Sequence, residues 1–151
     1  MDAKPAASAP KRIWTIALLA MLPFPGAALV YAYGPREDAQ VALGVLLTWS
    51  AVVLAFLGGV RWGLESIRPE PRALTLAGSV ISPVGAWGLL LARHHLDVRI
   101  LLCGLLAAFI GQWLFDHTTP DSVSRYPSLS TTLTLGACVS LAVVLEQALR
   151  M

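Results

Sequence analysis

Hydrophobic positions along this chain fall into five long runs, at about residues 13–33, 41–60, 73–92, 98–115 and 129–149, with short polar joins between them. A helix of about 20 apolar residues crosses the hydrocarbon core of a bilayer, and every run is close to that length. The run at 98–115 is the shortest; it carries Arg99 near its start, where a long side chain can snorkel to the interface. Period-two alternation, internal repeats and low-complexity tracts are not apparent. The pattern predicts an all-α fold: an integral membrane bundle of five transmembrane helices over residues 13–149, preceded by a basic cytoplasmic tail at 1–12. Pro23 and Pro25 lie inside the first run and predict a kinked or loosened helix there. Pro69 and Pro71 sit in a charged loop expected over 61–72.

Composition strengthens this picture. Of 151 residues, 56% are hydrophobic and only 13% charged, whereas soluble domains carry about 25% charged residues. The mean hydropathy is +0.68. A net charge of +2 from scattered basic residues leaves no stripe for nucleic acid. The basic flank before residue 13 resembles a signal peptide, but the first run exceeds the roughly 7–15 residues of an h-region and no convincing cleavage site follows Gly26. Cys103 and Cys138 both fall within apolar runs and read as inert buried thiols.

Charge also predicts orientation. Lys4, Lys11, Arg12, Arg61, Arg68, Arg72 and Arg125 fall on the N-terminal side of the bundle, against Arg36, Arg93, Arg99 and Arg150 on the other. The excess places the N-terminus in the cytoplasm, or the matrix in a mitochondrial setting, and the C-terminus outside. Trp14, Trp62, Trp113 and Tyr126 fall at the expected inner interface, and Tyr31 and Tyr33 at the outer one. Trp49 lies near mid-membrane instead, where its indole N–H needs a partner. Ser82, at similar depth on the third helix, is the expected one.

Small residues mark the packing faces. Ala51, Ala55, Gly59 and Gly63 recur every four positions in the second run, as do Gly78, Ser82 and Ala86 in the third. That spacing aligns them on one helix face and predicts close approach of the two helices. Gly58-Gly59, inside a span, also fits close helix approach better than a phosphate loop.

The candidate polar cluster is Arg61, Glu65, Gln112 and Asp116. The second and fourth helices run toward the same side, so Arg61 and Asp116 end at the same depth, and Gln112 precedes Asp116 by one turn. An arginine costs about 2.5–3.5 kcal/mol at a helix centre, less near the interface, and ionisable residues in such places are functional candidates. Two readings stand: Arg61 and Asp116 pair across helices, or Arg61 snorkels and pairs with Glu65 one turn away while Asp116 opens a loop. His94 and His95, with Asp97, lie at the opposite end from His117, about 30 Å of hydrocarbon away, so no metal site forms. Serines in the spans have no histidine at helix spacing, so no catalytic residue and no cofactor is assigned. Thr131, Thr132, Thr134 and Ser140 can bond their own helix backbone.

The block Phe56-Leu-Gly-Gly-Val-Arg-Trp-Gly63 resembles the transmembrane-protein-69-like family of small membrane proteins of unknown function. The likeness covers most of residues 13–149 and includes Leu22-Pro23-Phe24, Ser82 and Pro83 followed by Trp87, and Asp116. The family pattern Trp-Tyr-x-x-Leu-Arg before the fifth span is met only at Tyr126 and Leu129; Arg125 and Ser130 stand at its first and last places. The resemblance implies a multi-span protein of a bacterial or mitochondrial inner membrane, and supplies no activity.

Three function classes follow. The first is a structural or accessory protein of a bacterial inner membrane, embedded in the lipid bilayer and acting through helix–helix contacts with another membrane protein or a second copy of itself. A small-solute or ion-conducting protein is the second, although the spans hold few mid-membrane polar groups. The third is an enzyme acting on a lipid or quinone, which needs a polar cavity uniting Arg61, Gln112 and Asp116.

Overall fold

The computed structural model describes residues 10–118 and 127–150. Six α-helices make up almost all of it: α1 (Lys11–Met21), α2 (Pro23–Tyr33), α3 (Arg36–Ser66), α4 (Ala73–Leu91), α5 (Val98–Thr118) and α6 (Pro127–Arg150). A 3-10 turn at Ala92–His94 prolongs α4. Five segments are long and apolar enough to cross a membrane, with α1 and α2 forming one of them. There are no strands among the described residues.

The first span breaks where proline removes backbone donors. Pro23 has no N–H to give the Leu19 carbonyl, which takes the Leu22 N–H at 3.2 Å instead. The loosening expected from Pro23 and Pro25 thus appears as a joint at Leu22 between two helices. Trp49 of α3 braces that joint: its Nε1–H donates to the Ala20 carbonyl at 2.9 Å. This corrects the expected partner, Ser82, which faces the groove between α4 and α5.

The central helix is longer than its apolar run. α3 has 31 residues, about 46 Å at 1.5 Å per residue, against about 30 Å of hydrocarbon. It takes in the expected join at 34–40 from Arg36 onward, with Glu37 and Asp38 in its first turn, where acidic charge suits the helix dipole. At the other end it continues through Arg61 and Glu65 to Ser66 rather than ending before a loop at 61. Both charged residues are therefore fixed on a helix.

Helices α2 to α6 form a closed ring, each packing on the next and α6 returning to α2, with α3 also touching α5 across it. Phe24, Leu46, Leu54, Leu102, Leu105, Phe109, Leu141 and Val144 fill the interior. Phe24 meets Phe109 edge-on at 5.8 Å between ring centroids, a favoured aromatic arrangement. Outside, Ile81, Trp87, Leu91, Ile100, Ile110 and Val139 are each more than half exposed. Such a surface suits lipid rather than water.

Close helix approach occurs at Gly58, not along the stripe of Ala51, Ala55, Gly59 and Gly63. A Cβ on Gly58 would collide with the Ser79 carbonyl and the Pro83 ring of α4. Pro83 cannot donate to that same Ser79 carbonyl, so the Cα–H of Gly58 faces an acceptor that its own helix leaves free, a weak but favourable contact. Ala55, Gly59 and Gly63 instead lie exposed, and a Cβ on either glycine meets nothing within 4 Å. Ala51 is half-buried. On α4, Gly78 is filled by the Phe115 ring of α5 and Ser82 lines the same α4–α5 groove, while Ala86 is fully buried. At Gly78 and Ser82 the α4 stripe thus turns to α5 rather than to α3.

Candidate functional site

The buried face of α3 repeats at Ser50, Leu54, Gly58, Arg61 and Glu65. Spacings of four and three keep these residues over one another on a helix, so packing at Gly58 carries Arg61 into the bundle. Arg61 is only 3% exposed. On α5 the corresponding stripe is Leu105, Phe109, Gln112 and Asp116.

These stripes bring Arg61, Gln112 and Asp116 together. Arg61 Nη1 donates to Asp116 Oδ1 at 2.7 Å, and Gln112 Nε2 donates to the same oxygen at 3.2 Å. The guanidinium carbon also lies 4.5 Å from the centroid of the Phe115 ring, within cation–π range. Arg61 Nε and Nη2 are buried and have no hydrogen-bond partner among the described residues. One carboxylate oxygen and one aromatic face meet the guanidinium, and the Gln112 amide bonds that same oxygen.

Glu65 belongs to a neighbouring but separate arrangement. Fully buried, it accepts the Arg72 backbone N–H at 2.9 Å and Arg72 Nε at 3.0 Å on Oε1, and Arg72 Nη2 at 3.1 Å on Oε2. Arg68 Nε stands 3.3 Å from Oε2. The carboxylate therefore ties the α3–α4 connection onto the end of α3, immediately before α4 begins at Ala73. Arg61 turns to Asp116 and Glu65 turns to Arg68 and Arg72; of the two readings open in the sequence, the geometry displays the cross-helix pair.

Several partners carry no warning in the spacing of charges. Phe115 becomes visible only as an aromatic residue beside Asp116, and Arg72 lies seven positions beyond Glu65, across two prolines. Trp113 Nε1 donates to Thr131 Oγ1 at 3.1 Å, joining α5 to α6, and its ring lies 4.4 Å from that of His117. At the opposite end, Arg99 Nε reaches the Ala148 carbonyl at 3.2 Å, and Arg93 Nε donates to His94 Nε2 at 3.1 Å. His94 and His117 are thus engaged at different ends of the bundle. No group of three or more metal-capable side chains occurs among the described residues.

Two concavities border the helices near this site without including Arg61, Gln112 or Asp116. One, of about 400 Å³, lies between α1, α3, α5 and α6 and is almost wholly apolar. The other, of about 570 Å³, follows the glycine-rich α4–α5 groove.

Comparison with known proteins places the chain. It is 32% identical over 152 residues to Transmembrane protein 69 of Xenopus tropicalis, covering 93% of this chain and 56% of that protein. Against Transmembrane protein 69 of Mus musculus it is 28% identical over 143 residues, covering 90% of this chain and 56% of that protein. The chain spans about half the length of these curated relatives. No solved structure matches. The family described as Protein of unknown function (DUF3429) matches residues 9–146, including all four residues of the polar cluster, and this multi-span membrane protein belongs to that family.

Proposed function

We propose that this protein is a non-enzymatic accessory protein of the membrane, acting by helix–helix contact with another membrane protein or a second copy of itself. The observation that carries this reading is that most of its interior polar side chains bond within its own scaffold, Arg61 Nε and Nη2 aside. Ser50, Ser79 and Ser140 each bond a carbonyl of their own helix, at Leu46, Leu76 and Gly136. Arg61 and Asp116 tie α3 to α5, and Glu65 ties α3 to the chain leading into α4. Conduction calls for polar groups aligned along a path, and these are turned inward on the fold that holds them.

The outward stripe of Ala55, Gly59 and Gly63 offers a partner helix close approach. Because Ala55 is exposed and a Cβ on Gly59 or Gly63 meets nothing within 4 Å among the described residues, binding is separable from folding. Gly59→Ile with Gly63→Ile is expected to leave thermal unfolding in detergent unchanged and to remove co-purifying partner or self-association. A robust solute flux through reconstituted wild-type protein, lost in Arg61→Ala, would support conduction instead.

The same proposal places the N-terminus in the cytoplasm of a bacterium, on the distribution of Lys and Arg. Reporter fusions check it: a reporter after Asp97 should be active only outside the cytoplasm, and cytoplasmic activity there reverses the orientation.

A further inference from the structure

We infer that the cavity beside α1 is a binding site for one anionic glycerophospholipid, with an acyl chain in the cavity and the phosphate at Lys11 and Arg12. The break at Leu22 creates it. Beyond the break, α2 packs on both α3 and α6, whereas α1 contains no buried residue at all. The space left between α1 and the bundle is lined by Ile16, Ala17, Met21, Phe56, Leu133 and their neighbours, with Ser130 and Thr134 as its sole polar lining residues. Ile16 and Phe56 are 69% and 67% exposed, so the cavity opens sideways between α1 and α3, at hydrocarbon depth. Phe109 lines its inner wall and is held edge-on against Phe24.

The charge at its end decides what fills it. Lys11 and Arg12 immediately precede Ile13, the first lining residue of α1. Both are exposed, and neither side chain has an ion-pair or hydrogen-bond partner among the described residues. Elsewhere at this end of the bundle, Arg61 is held by Asp116, and Arg68 and Arg72 by Glu65. Among the described residues, the positive charge without a protein partner at this end thus lies at Lys11 and Arg12, next in sequence to the start of the apolar lining. Trp14, half-buried, follows two positions after Arg12, a residue type enriched at headgroup level. An apolar slot beside two cations that have no partner among the described residues matches an acyl chain ending in a phosphate. A partner helix would need a carboxylate at that depth, whereas an anionic leaflet supplies its phosphates there. This inference does not rest on a protein partner at Gly59 and Gly63, although Phe56 shares their face of α3.

The test uses the full chain, purified in mild detergent, stripped of lipid and offered phosphatidylglycerol or phosphatidylcholine with identical chains. Native mass spectrometry counts the lipids retained. One phosphatidylglycerol is expected to be held on the order of tenfold more tightly than phosphatidylcholine, from two basic side chains near an anionic headgroup. Lys11→Gln with Arg12→Gln should abolish that preference without changing thermal unfolding. Ala17→Phe, which fills the cavity, should release both lipids. Equal retention of the two lipids by the wild type overturns the site, as does an undiminished preference in the double variant. Competition by water-soluble glycerophosphoglycerol as strong as by the intact lipid would show that no chain occupies the cavity. Should Ala17→Phe fail to fold, the wild-type comparison and the charge variant still decide.

Discussion

The two ends of this bundle use the same chemistry in opposite ways. At the end where α3 and α5 finish, Arg61 is 3% exposed and its partner Asp116 is 18% exposed. At the other end, Arg150 and Glu146 also form an ion pair, but both are more than half exposed, and so is Asp97, which faces a nearly half-exposed Arg99. An exposed pair contributes about 0–1 kcal/mol, because water competes for both charges and two long side chains lose freedom. A buried pair need not contribute more than an apolar pair of equal size; losing one partner, however, strands the other charge. The first end is therefore a fixed joint between helices and the second a solvated rim.

Breaking the joint should have the largest effect. Arg61→Ala leaves Asp116 largely buried and is expected to destabilise the bundle by about 3 kcal/mol, read as a fall in thermal midpoint in detergent. Replacing both partners together, Arg61→Met with Asp116→Leu, should restore much of that midpoint. Restored stability with lost cellular function would assign the pair a role beyond structure; restored stability and function together would make it purely architectural. A double variant as unstable as Arg61→Ala would show that the pair is not the joint described here.

Next in size is the close contact that carries Arg61 inward. Gly58→Ala forces a methyl group against the Ser79 carbonyl and Pro83, and should cost about 1–3 kcal/mol, while Gly59→Ala should lie within about 0.5 kcal/mol of wild type. Equal effects at the two glycines would mean that α3 is rotated from the orientation described here. Smaller still is Trp49→Phe, which removes the donor to the Ala20 carbonyl and should cost about 1 kcal/mol, with faster backbone hydrogen exchange around Leu22. The least effect is expected at the rim: Arg150→Ala should shift stability by no more than about 0.5 kcal/mol, and less in high salt.

Much of this molecule is legible from its hydrophobic pattern. Five apolar runs of spanning length lead to five membrane-length segments, and Pro23 marks the place where the first of them breaks. Arg61, Gln112 and Asp116 can be put at one depth by counting residues along two helices that run the same way. Less legible is where α3 ends. Hydropathy falls at Arg61, yet the helix continues to Ser66: arginine and glutamate suit a helix interior, and Asp116 from α5 and Arg72 from the α4 approach give their charges partners. Trp49 is likewise misassigned by depth alone, since Ser82 and Ala20 lie at comparable levels on different neighbours.

What the sequence determined by itself is the solvent and the element type: runs too apolar and too long for water to accommodate must form helices whose backbone groups bond internally. Only the tertiary structure decided which face of each helix turns inward. Gly58 and Gly59 differ by one position, about 100° around the helix, and both are small enough to permit contact. The choice between them rests on the free carbonyl beside Pro83, the room for Phe115 against Gly78, and a carboxylate within reach of Arg61. All of them lie on α4 and α5 rather than on α3, so the run that contains the two glycines does not contain the answer.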